Sequence, residues 1–395
     1  MNGLQSGMRA LTDQLRVVSG LAVAYGGADA AHMQLYGNAQ EVRYDGAAFL
    51  PQVRPLAPDA IFDLASVTKL FTCIAIMQLA ERGAIGLDDP LAQYDGRFVH
   101  IGKAKVRELL SFRVGLQTAA RIDEQTDREA ALNLLFAMRY APLPPVRYYT
   151  DMGAMVLKYV VEAASGMPFY EYLRRNVLLP LDMRTTFSCV PEALHGRMVN
   201  YNYERRIVNG AYTVDTGAEP GQPHDYKARV LRAGGEDLCG HAGLFSTMGD
   251  MIRLAHGLIH DRLFSRATLL EIGQNRTGHA LPEGGYTQHL GYLCFAKHPI
   301  QTYSEVPACF GARTLALNGF TGNHFSVDPE QNRFIIILAN RIHNRVTFAN
   351  GRPDPNDKTL SICWDDGQNY TVSQNYTYLK DAYLKEPIGA LFARQ

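Results

Sequence analysis

The sequence predicts an α/β (α+β) fold, in which an antiparallel β-sheet flanked by helices carries an inserted, mostly helical lobe. Three observations lead there. Apolar runs of strand length occur near both ends of the chain, helix-period segments fill the middle, and a Gly-, Pro-, Asn- and Asp-rich stretch at 191–238 keeps no period. A sheet assembled from both ends places residues 1–70 and 236–395 in one discontinuous domain and 71–235 in the inserted lobe. A chain of 395 residues is long enough to bury a large core in such an arrangement.

Taken in order, Gly20–Tyr25 and His32–Tyr36 are strand-like runs separated by Gly26-Gly27, which reads as a hairpin. Ile61–Leu64 leads into an apolar segment from Val67 to Glu81, rich in helix formers and stopped by Gly83, so Ser66 stands at a helix N-terminus. Helices are expected at Val106–Leu110 and Asp127–Arg139, ahead of the Pro142–Pro145 breaker, and at Met152–Ala164 and Phe169–Leu178, separated by Ser165-Gly166. Residues 191–238 read as long ordered loops lining a cleft. Asp250–His260 is a further helix, and Gly291–Ala296, Thr314–Leu317, His324–Val327 and Phe334–Ala339 read as strands. The polar segment Gly351–Thr377 reads as a surface excursion.

Composition narrows the function. Thirty-nine basic residues balance thirty-nine acidic ones, leaving no net field to gather nucleic acid or an anionic membrane surface. The longest apolar stretches, Phe71–Ala80 and Phe334–Ala339, fall short of the roughly 20 residues a membrane span needs. Met1–Val18 carries Arg9, Asp13 and Arg16 and lacks a signal peptide's apolar core, so a cytoplasmic address is expected. The six cysteines are scattered without close pairing or metal-ligand spacing and read as reduced thiols. A small-molecule ester, amide or peptide is the expected partner, with no metal and no cofactor.

Ser66-Val67-Thr68-Lys69 puts a hydroxyl and an ammonium one turn apart on a single helix face. A serine hydroxyl is a poor nucleophile until a nearby group takes its proton, and this spacing supplies a candidate. The segment Phe62–Thr72, continuing through Gln78–Gly83 to Leu87–Leu91, resembles the nucleophile helix of the class C β-lactamase and penicillin-binding-protein family. Val106–Leu116 resembles a second stretch, with Phe112, Arg113 and Val114 where relatives read His-Thr-Ser. Arg147–Gly153 resembles the Tyr-x-Asn motif, which implies Tyr149 as the catalytic tyrosine and puts Asp151 in place of asparagine. A carboxylate there raises the pKa of Lys69 and shifts the general-base role toward Tyr149, or else orients Lys69.

Leu317-Asn318-Gly319-Phe320-Thr321-Gly322 aligns with the family's His-Thr-Gly-Phe-Thr-Gly run. Leu317 thus stands where a cation is usual, Asn318 retains a side-chain hydrogen bond, and Gly319 lets substrate approach the strand backbone. The resemblance implies an oxyanion hole from the backbone N–H of Ser66 and one near Phe320. Gly221–Ala228, Gly234-Gly235 and Gly240–Thr247 resemble a signature of a penicillin-binding-protein-like subgroup. His224 and Asp225 are expected to order the cleft loop and His241 to be a structural, hydrogen-bonded histidine; a Ser-His-Asp triad is the lesser alternative.

The resemblance implies a β-lactamase/transpeptidase-like fold and a serine hydrolase acting through a Ser66 acyl-enzyme. Leu317 favours carboxylic esters or related small acyl substrates over substrates bearing a carboxylate, with Arg313 upstream as a possible substitute cation. The alternatives are a D,D-carboxypeptidase or β-lactam-hydrolysing protein, and a non-catalytic penicillin-binding-like sensor.

Overall fold

The computed structural model describes residues 3–45, 47–217, 221–232, 237–350, 361–373 and 376–394. From the N-terminus, helix α1 (Gly3–Arg9) precedes strands β1 (Gly20–Gly26), β2 (Ala31–Tyr44), β3 (Phe49–Pro55) and β4 (Ile61–Asp63). Helices α2 (Thr68–Glu81), α3 (Val106–Leu110), α4 (Arg128–Phe136), α5 (Met152–Ser165) and α6 (Phe169–Leu173) follow, with the short pair β5 (Leu116–Gln117) and β6 (Arg139–Tyr140) among them. Then come β7 (Glu204–Val208), β8 (Ala211–Asp215), α7 (Tyr226–Leu231), β9 (Phe245–Thr247), α8 (Met248–Ile259) and α9 (Arg266–Ile272). The chain closes with β10 (Leu315–Asn318), β11 (His324–Asp328), β12 (Arg333–Ala339), β13 (Val346–Ala349), β14 (Ser361–Cys363), β15 (Asn369–Thr371), α10 (Tyr376–Lys380) and α11 (Glu386–Phe392).

The main sheet has the order β10-β11-β12-β1-β2-β3, every pair antiparallel. It is built from both ends of the chain, and its central strand β1 is buried along its whole length. Ala22 and Ala24 face the helices, whereas Leu21, Val23 and Tyr25 face a second core closed by α1, α10 and α11. A strand covered on both faces needs apolar residues at every position, which is what Leu21–Tyr25 provides.

α2 is buried from Thr68 to Leu79 and has no polar face. Such a helix belongs inside a core, and α2 runs between the sheet side and α5 with Ser66 at its head. The expected division at residues 70 and 71 falls within this helix, and the one at 235 and 236 lies outside the described residues.

Several elements differ from expectation. Gly291–Ala296 forms isolated bridges, Leu290 with Phe295 and Phe295 with Ala316, in place of a strand, because Leu293 takes a left-handed φ of 49° that turns the chain. Part of the 191–238 stretch is β-structure: β7 and β8 pair antiparallel, and β13 joins β7 in parallel. Their charged and hydroxylated residues mask the pattern. Residues 351–360 of the expected surface excursion lie outside the described residues, and β14 and β15 bury Ile362, Trp364 and Tyr370 in a small core of their own. No helix among the described residues is long and apolar enough to cross a membrane.

Candidate active site

Ser66 lies in a 3₁₀ turn, Ala65–Val67, that runs directly into α2. Ala65 takes a φ of 47°, a region non-glycine residues seldom occupy. The turn is held from below: Asp63 Oδ1 accepts the Ala65 N–H at 2.8 Å and Asp63 Oδ2 accepts the His224 N–H at 2.7 Å. The Asp63 carbonyl accepts from Thr321 Oγ1 at 2.9 Å and Asn323 Nδ2 at 2.8 Å, which ties the nucleophile turn to the loop after β10. Burial raises the pKa of the Asp63 carboxyl, against the opposing effect of these N–H donors.

One turn further on, Lys69 is fully buried. Its ammonium donates to Ser66 Oγ at 2.9 Å and the His241 carbonyl at 3.3 Å, and meets Asp151 Oδ1 at 2.7 Å. Burial alone would depress the lysine pKa. The Asp151 carboxylate and the Tyr149 phenol facing it override burial and raise it. Asp151 is the converse case: burial favours its neutral form, yet Lys69, His241 and Lys227 hold the carboxyl well below the usual range. Lys69 is therefore an ammonium throughout the neutral range, as expected from an aspartate at this position.

Tyr149 is fixed on three sides. Gln288 Oε1 accepts the backbone N–H groups of Tyr148 and Tyr149 at 3.1 and 3.0 Å. The phenol ring stacks on Phe295, with centroids 5.1 Å apart and planes 4° from parallel, and on Phe112 at 5.3 Å. Phe112, where relatives carry a polar loop residue, thus does its work by ring stacking. Lys69 Nζ lies over the Tyr149 ring, 5.0 Å from its centroid.

On the strand side the backbone suits the expected role and the side chains are rearranged. A Cβ at Gly319 would lie 2.7 Å from the Leu64 carbonyl, so only glycine permits β10 to approach the nucleophile turn this closely. Phe320 is 49 % exposed, and its ring stacks on His224 at 5.4 Å. Leu317 is buried in the main core. Asn318 turns its Oδ1 toward His324 Nδ1 at 2.9 Å and Lys380 Nζ at 3.0 Å. Lys380 reaches the strand from α10 and is fully buried; burial and the nearby Lys385 push its pKa down to about 7. Sequence reading missed it, because nothing in Tyr376–Lys380 signals a contact with β10. Arg313 lies before β10 begins, four residues and thus about 13 Å of extended chain from Leu317.

The His-Asp signature closes the site from the other side. Asp225 caps α7 by accepting the Ala228 N–H at 2.9 Å, and its Oδ1 meets His241 Nε2 at 3.0 Å. His241 Nδ1 has no hydrogen-bond partner, so this ring makes no hydrogen bond to Ser66. The His224 ring stands 3.5 Å from Glu204 Oε2. Gly234 and Gly235 lie outside the described residues. Lys227, unremarked in the sequence, pairs with Asp151 Oδ2 at 3.0 Å and Asp225 Oδ2 at 3.6 Å. Ligand atoms of Asp151, Asp225 and His241 lie within 4.8 Å of one another, but both carboxylates already face ammonium groups.

Residues 8–353 match the Beta-lactamase family. A putative D-alanyl-D-alanine carboxypeptidase of Salmonella gallinarum is 25 % identical over 376 residues, covering 86 % of this chain and 82 % of that protein. Its namesake from Escherichia coli O157:H7 is 24 % identical over the same span. Among solved structures, a LovD6 mutant of the Aspergillus terreus simvastatin synthase superposes with a TM-score of 0.68 at 16 % identity, covering 99 % of this chain and 95 % of that one. EstCE1, a hydrolase with promiscuous acyltransferase activity, gives 0.65 at 20 % identity over 86 % of this chain and 92 % of its own. A class C β-lactamase from Rhodobacter sphaeroides gives 0.64 at 17 % identity over 99 % and 100 % of the two chains. With its fold shared along almost its whole length and the family match spanning most of the sequence, the chain belongs to the β-lactamase family of serine hydrolases.

Proposed function

We propose that this hydrolase cleaves neutral carboxylic esters, or related small acyl substrates, through a Ser66 acyl-enzyme in which Tyr149 moves the proton and Lys69 stays charged. The observation that carries the reading is the placement of the Lys69 ammonium, 2.9 Å from Ser66 Oγ and 2.7 Å from Asp151. An ammonium so paired is a poor base, whereas a phenol oxygen beside it is stabilised when it carries negative charge.

In this step Tyr149 reacts as its phenolate: the oxygen takes the Ser66 proton, becoming a phenol, as Oγ bonds to the substrate carbonyl carbon. The proton then passes to the departing alcohol as the ester C–O bond breaks, and water releases the acid by the same steps in reverse roles. The N–H groups of Ser66 and Phe320 are the donors assigned to the oxyanion, with Gly319 allowing the strand to come close. Asp151 orients Lys69.

Leu317 sets the preference. A charge-assisted hydrogen bond to a substrate carboxylate contributes roughly 1.5–3 kcal/mol, so its loss lowers selectivity for such substrates by about tenfold to more than a hundredfold. A second reading, a D-peptidase, draws on the names of the carboxypeptidase relatives and on Lys380, which brings a cation to 3.0 Å from Asn318 Oδ1. Comparing kcat/KM for p-nitrophenyl acetate and butyrate, a D-alanyl-D-alanine peptide and a chromogenic cephalosporin decides between them. The ester reading expects the esters to lead; a lead for the peptide, abolished by Lys380→Met, establishes the second.

A further inference from the structure

The residues of the His-Asp signature form a closed circuit of charge with the nucleophile's lysine. Lys69 meets Asp151 Oδ1 at 2.7 Å, Asp151 Oδ2 meets Lys227 at 3.0 Å, and Lys227 meets Asp225 at 3.6 Å. Asp225 meets the His241 ring at 3.0 Å, and the His241 carbonyl returns to Lys69 Nζ at 3.3 Å. Lys227 arrives on the first turn of α7, whose N-terminus Asp225 caps, so one short helix delivers both charges.

We propose that Lys227 is a positioning residue for the Ser66 reaction, present to compensate the carboxylate that Asp151 introduces. With an amide at residue 151, Lys69 would face no carboxylate, and Lys227 would answer Asp225 alone. An aspartate adds a negative charge that, answered by Lys69 alone, draws the ammonium toward itself and away from Ser66 Oγ and Tyr149. Lys227 takes the outer oxygen, Oδ2, leaving Oδ1 to Lys69. The carboxylate is thereby shared, and Lys69 keeps its contacts with Ser66 and the phenol. Burial disfavours the charged form of Lys227, but Asp151 and then Asp225 overcome it and raise its pKa, so the compensating charge persists through the neutral range. The further charged groups on that side are Asp123, Arg121 and Glu124: Arg121 pairs with Asp123 at 2.5 Å and with Glu124 at 3.4 Å. The inference rests on the acyl-enzyme reading above and adds why the signature's lysine is there.

The test is a reciprocal-rescue cycle in the full-length protein: Lys227→Met, Asp151→Asn, the double variant and Lys227→Arg. Each is assayed for ester kcat/KM against pH, for Ser66 labelling rate by a fluorophosphonate, and for Tm. Each single neutral substitution leaves one unbalanced, half-buried charge, so each lowers kcat/KM and labelling by about tenfold or more. The double variant has neither charge and recovers at least about tenfold over the worse single variant, in activity and Tm alike. Lys227→Arg retains most activity. In Lys227→Met the acidic limb of kcat/KM moves to higher pH, since removing a cation disfavours the base's deprotonated form. A double variant no better than the worse single overturns the proposal. So does a Lys227→Met defect of equal size with and without the Asp151→Asn substitution, together with an unmoved pH profile. If wild-type protein turns over no ester and Ser66 is never labelled, the acyl-enzyme reading fails instead, while the Tm cycle still reports whether the charges compensate.

Discussion

The two walls of the site carry their chemistry differently. The helical wall, from Ser66 through Lys69 to Tyr149 and Asp151, works through side chains: the Lys69 ammonium meets the Ser66 hydroxyl and the Asp151 carboxylate and lies over the Tyr149 ring. The strand wall works through backbone. Gly319 permits the approach, Leu317 is withdrawn into the core, and Asn318 Oδ1 is occupied by His324 and Lys380. The comparison suggests that reaction type resides in the first wall and substrate preference in the second, which can change its side chains while its backbone stays put.

The sharpest way to break that division is on the helical wall. Ser66→Ala is expected to abolish turnover and fluorophosphonate labelling, checked by intact-mass spectrometry; an adduct on the variant shows that the nucleophile lies elsewhere. Lys69→Ala and Tyr149→Phe are each expected to lower kcat by about a hundredfold or more with little change in KM, since Tyr149 carries the reacting proton and the Lys69 charge stabilises the oxygen that takes it. A defect confined to KM would move them out of the chemistry.

On the strand wall, Gly319→Ala places a methyl 2.7 Å from the Leu64 carbonyl. It is expected to cost about tenfold or more in kcat/KM for every substrate alike, because the backbone must retreat from the oxyanion position. Uniformity across esters and peptides is the diagnostic.

The smallest effect is a matter of pH. The Lys380 pKa is pushed down to about 7 by burial and by Lys385, below its unfolded value of about 10.4. The folded state therefore binds fewer protons than the unfolded state between those values, and stability rises with pH across that window. Lys380→Met removes the penalty, so its Tm relative to wild type should be highest below pH 7 and the difference should shrink toward pH 10. Melts between pH 6 and 9.5 check this; a difference independent of pH means the lysine is charged in both states.

Where apolar pattern and period coincide, the sequence was readable. Gly20–Tyr25 and Phe334–Ala339 read as strands and the apolar run after Ser66 as a helix, and each forms and is mostly buried. The Ser66, Lys69 and Tyr149 cluster was legible because its members fall in local motifs. What escaped was long-range pairing of polar groups. β7, Glu204–Val208, reads as charged loop because Arg205 is buried only by virtue of Asn344 and Asp365, far along the chain. Lys227 and Lys380 are ordinary surface-type residues until the fold sets Asp151 and Asn318 beside them. Gly291–Ala296 reads as a strand by composition, and a single left-handed residue, Leu293, breaks it.

The origin of the sheet bears on how the molecule is made. β1 is central, yet it pairs on one side with β12, Leu21 against Ala339, so more than 300 residues separate the partners. At roughly 5–20 residues per second, synthesis leaves this wholly apolar strand with one open edge for about 15–60 s. During that interval β1, β2 and β3 form an incomplete sheet whose open edge is its most hydrophobic strand, a template for pairing with another nascent chain. Yield in a cell should therefore depend on chaperone supply and translation speed more than the stability of the finished protein would suggest.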